Sequence, residues 1–287
     1  MNFRQITIVG TGLIGGSFGL AVRRAGFTGR IIGCDREHVL RQARAFGATD
    51  EGCGSPEDAV RGSDLVVLAT PVGSIIDLIE RIGPLVSPDA LITDVGSTKL
   101  EIMARARDVF GGGVASRFLP GHPMAGKEHS GVQHADGRLF DGAVWLITPF
   151  PEQKLETDPK LQAFTRLVEK FGSRLLTIDA AEHDRVCALV SHLPQMISTA
   201  FASTLVDELG DDPQTGAIGG RALREMTRIA GSPYSMWRDI ALTNTKNIQD
   251  ALLKVEQKLA HIRENLRTRG LEEEFDRAHL LGKKSPS

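Results

Sequence analysis

At 287 residues, 41% of them hydrophobic and 24% charged, the chain is too long for one small core and has apolar side chains enough to fill two. A net charge of −2 argues against a nucleic-acid or membrane-surface partner. Cys34, Cys53 and Cys187 are odd in number and lack zinc or disulfide spacing; with no signal-peptide pattern and no membrane-length apolar run, a cytoplasmic protein with reduced thiols is expected.

In chain order, Ile6-Thr7-Ile8-Val9 reads as a strand, Gly10-Thr11-Gly12-Leu13-Ile14-Gly15 as a tight turn, and Gly16 to Arg24 as a helix. The first glycine permits the turn, the second lets backbone approach a pyrophosphate, and the third allows helix to pack on strand. Phosphate then meets the positive end of the helix. Gly10, Gly12, Leu13, Ile14 and Gly15 are therefore candidate cofactor-binding residues. A second apolar run ends at Asp35, twenty residues beyond Gly15, where an acid holds the adenosine ribose. A carboxylate accepts from a 2′-hydroxyl and repels a 2′-phosphate, by on the order of 4 kcal/mol at ~4 Å and an effective dielectric near ~20. NAD is expected over NADP. Arg36 pulls the other way, since its guanidinium can turn toward a 2′-phosphate or stack on the adenine.

Short β-branched runs alternate with helical stretches up to about residue 179, predicting strands near 5–9, 30–34, 65–69, 90–94, 117–119, 143–148 and 174–178. Ser55-Pro56-Glu57-Asp58 reads as an N-cap with proline at the first helical position. Parallel strands gather their ligand at one edge of the sheet, and three loops leave that edge. They are Thr70-Pro71-Val72, Asp94-Val95-Gly96-Ser97-Thr98-Lys99, and a glycine-bracketed turn, Gly121-His122-Pro123-Met124-Ala125-Gly126. The turn presents an imidazole suited to act as base on a hydroxyl beside a nicotinamide. His122, His129 and His134, at spacings of seven and five, fit no metal scheme, so no metal site is expected.

Past residue 179 the strand signals stop. Asp179-Ala180-Ala181-Glu182 has capping-box spacing, and the remainder reads as helical. Ile248, Leu252, Val255, Leu259, Ile262 and Leu266 advance by fours and threes, a stripe that can face the core or a second copy. The expected architecture is an α/β, Rossmann-type doubly wound sheet over 1–179, followed by an all-α dimerisation domain over 180–287, forming a homodimer. His183 and His192, nine residues apart, fall out of phase on an ideal helix unless Pro194 distorts it, and His183 reads as structural. His192 and Gln195 share a face, as do Arg221, Arg224 and Arg228, of which Arg221 reads equally as a solvated charge. Residues 283–287 read as a disordered tail.

Taken together, Gly10 to Ser17, Ala69-Thr70-Pro71-Val72, Asp94 to Lys99, Gly121 to Gly126, Ser191-His192-Leu193-Pro194, Thr227-Arg228-Ile229-Ala230 and Met236 to Ile240 resemble the prephenate and arogenate dehydrogenases of tyrosine biosynthesis. The resemblance implies oxidation of a ring C4 hydroxyl by hydride transfer to NAD with loss of CO2, made irreversible by aromatisation. It makes His122 the catalytic base, Ser97 the residue that fixes His122 against the nicotinamide, and Arg228 the carboxylate-binding cation. Ser97 also reads as the cap of a helix starting near Thr98. The same correspondence gives Glu128, Arg224 and Arg228 an ionic gate with Trp237 over a pocket that includes His192 and Gln195. Some relatives carry histidine where this chain has Gln195, which leaves prephenate and arogenate both open. Domain closure is expected to accompany catalysis. Other readings are an arogenate-preferring or NADP-using relative, an imine or β-hydroxyacid reductase, which would lack the His122 and His192 motifs, and a non-catalytic redox sensor, which would need neither His122 nor Arg228.

Overall fold

The computed structural model describes residues 3–127, 129–210 and 213–282. Six strands, β1 (Gln5–Val9), β2 (Arg30–Cys34), β3 (Glu51–Cys53), β4 (Leu65–Leu68), β5 (Leu91–Asp94) and β6 (Phe118–Leu119), form a parallel sheet in the order 3-2-1-4-5-6. This is the doubly wound order, in which all strands run parallel and the sense of strand addition reverses between β1 and β4. Being buried on both faces, β4 reads as an unbroken apolar run, Leu65-Val66-Val67-Leu68, while β1 carries a buried Thr7 whose hydroxyl donates to the Ala59 carbonyl at 2.8 Å. Ile6, Ile8, Phe18 and Phe164 fill one face; Val66, Leu68, Ile75 and Ile92 fill the other.

A second sheet, β7 (Gly121–Pro123), β8 (Val144–Ile147) and β9 (Arg174–Thr177), pairs β7 with β8 antiparallel and β8 with β9 parallel. Trp145 of β8 and Phe171 both pack edge-on against Phe18 of the helix Leu13–Arg24, with ring centroids 6.2 and 5.2 Å away. The strand that carries His122 is thus keyed to the helix that follows the glycine turn.

Two features differ from the sequence reading here. β3 is a three-residue edge strand, too short for its periodicity to register. His122 sits in a strand rather than a turn, because Gly121 serves close approach: a Cβ there would lie 2.9 Å from Trp145 Nε1 and 3.1 Å from the Asp94 carbonyl oxygen. Ser55 does cap its helix, accepting from the Asp58 N–H at 3.2 Å.

The C-terminal half is all helix. Asp179 opens it by accepting from Ala181 and Glu182 N–H, but Glu182 turns to Arg185 instead of closing the capping box. Contrary to the expectation that no stretch reaches membrane length, the continuous helix Ala180–Leu209 is long and apolar enough by length and composition to cross a bilayer. Its polar members explain it otherwise: His183, Asp184, His192, Gln195 and Ser198 are buried against the rest of the chain and carry its hydrogen-bonded polar groups. The stripe on the helix Thr245–Glu264 begins buried at Ile248 and is exposed at Leu259, and its expected last member, Leu266, lies past the helix end and is exposed too, so it serves the core at one end and is open at the other. Residues 283–287 lie outside the described part.

The halves are pinned to each other by helix caps that cross between them. Asp239 accepts the Gly73 N–H at 3.0 Å, at the start of the helix Val72–Ile82. Asp184 accepts the Lys99 and Leu100 N–H groups at 2.7 and 3.0 Å, at the start of Leu100–Phe110. Each carboxylate fills orphan donors at the positive end of a helix dipole. The Thr98 and Thr243 hydroxyls add a 2.8 Å bond.

Candidate active site

The glycine turn has the shape a pyrophosphate requires. Gly10 holds φ at +91°, and a Cβ there would lie 2.6 Å from the Ala69 carbonyl oxygen; one on Gly15 would lie 1.9 Å from that of Gly10. A Cβ on Gly12 would meet nothing within 4 Å, so the backbone is open on that side. The helix beginning at Leu13 has no side chain capping its N-terminus, which leaves its N–H groups to an anion. Asp35 faces this turn, accepting the Thr11 N–H at 2.8 Å, while Arg36 is exposed and bonds Asp35 only through its own N–H at 2.7 Å. Beyond the adjoining strand, Thr70 Oγ1 is buried without a partner, Pro71 caps the next helix, and Val72 is buried at its start. These residues fit a dinucleotide whose ribose hydroxyls meet a carboxylate.

At the far end of the same sheet edge, the Asp94 carboxylate accepts from the Gly96 N–H at 2.8 Å and the Gly121 N–H at 3.3 Å, and pairs with Lys99, both side chains being wholly buried. This brings the Asp94 loop against β7 and seats His122. His122 Nδ1 lies 2.9 Å from His183 Nε2, and His183 Nδ1 lies 2.8 Å from Asp184 Oδ1. His122 Nε2 has no partner among the described residues, yet is not sealed from solvent as the buried orphan atoms are. That nitrogen is the one left for a substrate. Burial, then the neighbouring His183, Lys99 and His192, holds the His122 ring well below the ordinary imidazole range, so it is neutral and able to act as a base.

His183, which the sequence reads as structural, is fully buried and bonded directly to the His122 ring. Its nearness to His192 is also a departure from the ideal-helix count. The five residues Ala188–His192 form a π-helical turn just before Pro194, changing the phase. Asn244 links Asp184 to His192, donating to the Asp184 carbonyl at 2.7 Å and approaching His192 Nδ1 at 3.3 Å. His192 packs edge-on against Trp237, ring centroids 5.9 Å apart. His192 Nε2, Gln195 Oε1 and Trp237 Nε1 are all buried without a hydrogen-bond partner, three orphan atoms of mixed donor and acceptor character in one neighbourhood. Such groups are costly unless a ligand completes them.

Ser97 is half-buried in the Asp94 loop, but the helix starts at Leu100 and Asp184 caps it, so the capping role expected of Ser97 falls to another residue. Arg228 ends the helical segment Pro213–Arg228, which is interrupted at Gly220 by φ +58°. Both it and Arg224 are exposed on the single chain, and no contact described here joins either to His122. Arg221 pairs with Glu225, the solvated role already foreseen. Glu128, the proposed gate acid, lies outside the described residues. The His129 and His134 rings lie tilted against one another, centroids 5.0 Å apart. Among the described residues one cluster could hold a metal, namely His122, His183 and Cys187. The 2.9 Å between its ring nitrogens is a hydrogen bond, shorter than the ~3.3 Å that two nitrogens at ~2.0 Å from one tetrahedral ion would keep.

Lys99, Asp184, Asp239 and Asn244 were missed as site-building residues. Asp239 and Asn244 act at 166 and 60 positions' distance, on Gly73 and on Asp184, and no local spacing encodes that.

Burial also makes the fold acid-sensitive. His122, His183 and His192 all sit below the free imidazole value, His192 at about 4, chiefly through desolvation. The unfolded chain binds protons at these rings below about pH 6.5 and the folded chain does not, so stability must fall as pH falls from there. For His192 alone the loss approaches about 3 kcal/mol at pH 4. Thermal denaturation should show a melting temperature that drops steadily between about pH 6.5 and 4.5; a flat profile would mean that the rings are solvated.

A doubly wound sheet with an open glycine turn, a helical second half, and a neutral imidazole fixed where the two meet define a two-domain dinucleotide-binding protein of the dehydrogenase class. Residues 18–177 match the family model "Prephenate dehydrogenase, nucleotide-binding domain" and residues 179–279 match "Prephenate dehydrogenase, dimerization domain". The chain belongs to the prephenate dehydrogenase family. It is 33% identical over 245 residues to the prephenate dehydrogenase of Lactococcus lactis, covering 84% of this chain and 65% of that protein. It spans a similar share, 65%, of the Bacillus subtilis prephenate dehydrogenase, at 32% identity. The crystal structure of prephenate dehydrogenase from Aquifex aeolicus in complex with hydroxyphenyl propionate and NAD+ superposes with a TM-score of 0.85 at 32% identity, covering 99% of this chain and 97% of that one. Synechocystis arogenate dehydrogenase follows at a TM-score of 0.71 and 27% identity, covering 98% and 96%.

Proposed function

We propose that this chain oxidises prephenate with NAD, releasing CO2 and 4-hydroxyphenylpyruvate. The observation that carries this is His122: a buried, neutral ring whose Nδ1 is tied to His183 and whose Nε2 is left for a substrate hydroxyl. In support, the likeness to the A. aeolicus enzyme, solved with hydroxyphenyl propionate and NAD+, covers 99% of this chain. The turn Gly10, Gly12, Leu13, Ile14 and Gly15, with Asp35, Arg36 and Thr70-Pro71-Val72, would hold NAD, which supplies the hydride acceptor. His122 takes the C4 hydroxyl proton, and Ser97 holds that oxygen and the ring in line. No general acid is needed at the departing carboxylate, because its electrons pass into the ring as it becomes aromatic.

Arg228, with Arg224 and Glu128 as a gate beside Trp237, would bind a carboxylate of the substrate. His192 and Gln195 would meet its side chain. Only a guanidinium gives two parallel donors in one plane. Arg228→Lys should therefore raise the substrate KM about tenfold, or about 1.4 kcal/mol, with kcat little changed; an equal loss in kcat instead would place Arg228 in the transition state. Gln195 favours arogenate as a second substrate, since its orphan Oε1 is an acceptor suited to an ammonium group.

The functional unit we propose is a cytoplasmic homodimer with domains at 1–179 and 180–287. Val206, Leu209, Ile218 and Phe275 are exposed on the helical half, as a partner surface requires. Steady-state rates with prephenate and arogenate, each with NAD and NADP, test the assignment. Prephenate with NAD should give the highest kcat/KM; no turnover with any of the four pairs would refute it.

A further inference from the structure

We propose that His183 and Asp184 form a proton relay behind His122, so that the charge taken from the substrate hydroxyl comes to rest beside a carboxylate and not on the ring that removed it. This rests on the assignment of His122 as the base.

The hydrogen bonds fix every tautomer in turn. Asp184 Oδ1 can only accept, so the 2.8 Å bond requires a proton on His183 Nδ1. A neutral His183 then has a bare Nε2, which accepts from His122 Nδ1–H at 2.9 Å. His122 is left with a bare Nε2, the form a base needs. Without the pair behind it, either tautomer of His122 would serve its surroundings equally well. The second bond of an imidazole decides which nitrogen is reactive.

The surroundings also say where a positive charge can reside. His122 is faced by the Lys99 ammonium and by His183 and His192, with no carboxylate bonded to its ring. The Lys99 charge is paired with Asp94. His183 is wholly buried too, but Asp184 is bonded to it and raises its affinity for a proton. Cys187 Sγ approaches His183 Nε2 at 3.6 Å, yet burial pushes its thiol up to about 12, so it neither supplies nor stores the proton. Asp184 is itself held by the Lys99 and Leu100 N–H groups, and Asn244 fixes its backbone carbonyl.

The step balances as follows. The substrate O–H bond breaks as a bond forms from that proton to His122 Nε2; the His122 Nδ1–H bond breaks as one forms to His183 Nε2. The C4–H electron pair leaves with its hydrogen as hydride to the nicotinamide. His183 is then an imidazolium beside Asp184 until the C–CO2 bond breaks and its electron pair passes through the ring to the C4 oxygen, which takes the proton back through His122. The substrate thus loses one hydride and CO2, with no net proton, and ends as a phenol. His183 and Asp184 are positioning residues, since neither touches the substrate. Because His122 comes from β7 and its partners from the helix Ala180–Cys187, the base is complete only when the two halves are docked.

His183→Gln separates the parts, since its side-chain oxygen can still accept from His122 Nδ1–H but cannot hold a proton. Single-turnover rates should fall about 10- to 100-fold, with substrate KM and NAD affinity within about twofold of wild type. The proton inventory should change from bowed, with two protons in flight, to linear, and the acid limb of the rate should move to lower pH. Rates, inventory and pH profile all like wild type would overturn the relay. His122→Asn assayed in parallel keeps the two assignments apart, because full activity in that variant would remove the base itself. Should His183→Gln not fold, nitrogen NMR of the unaltered protein labelled at histidine decides: His122 must be protonated at Nδ1 and bare at Nε2, and the opposite tautomer rejects the relay.

Discussion

His122→Asn should lower kcat by about 10³-fold, within the range of a positioned general base, and leave NAD affinity unchanged. Asparagine keeps a polar group of similar reach but has no lone pair basic enough to take a hydroxyl proton. NAD should be indifferent, because the Gly10–Gly15 turn and Asp35 lie at another part of the sheet edge and make no described bond to His122. Initial rates alongside a fluorescence titration of NAD check both halves of this expectation. A variant that turned over within about fivefold of wild type would show that aromatisation and binding carry the reaction without a base. A variant that lost NAD as well would show that His122 is part of the cofactor cradle.

The second large effect is on stability. Lys99→Met should cost about 3–5 kcal/mol, because Asp94 would keep its buried charge with only the Gly96 and Gly121 N–H groups to answer it. For a chain of this size that corresponds to a melting temperature lower by about 10 °C. The site should suffer along with the fold: Asp94 is what ties the loop before Leu100 to β7, so a loosened Asp94 frees His122 from its alignment. A calorimetric scan that left the transition within about 2 °C of wild type would mean that water already reaches the pair.

Much of the dinucleotide half was legible because its signals are local. Gly10, Gly12 and Gly15 each do a separate steric job that spacing reveals, and Asp35 follows at the end of an unbroken apolar strand. His122 was legible by motif, although its strand was not, since three residues ending in proline carry no periodicity. The bond between His183 and His122 was not legible in the sequence, for a physical reason. The two residues lie 61 positions apart, and the phase of His183 relative to His192 depends on a π-turn that ideal helix geometry does not anticipate. Asp184 and Asp239 were invisible for the same cause, as their carboxylates cap helices 85 and 166 positions distant. Arg228 was named by motif alone, and its exposed place at the end of the helix Pro213–Arg228 shows no bond that ties it to His122.

The most direct measurement is a crystal structure with NAD and 4-hydroxyphenylpyruvate bound. The phenolic oxygen is expected within about 2.6–3.2 Å of His122 Nε2, with the side-chain carboxylate on Arg228 and the ring against the nicotinamide. A product molecule whose oxygen bonds elsewhere, with His122 Nε2 facing only solvent, would contradict the account.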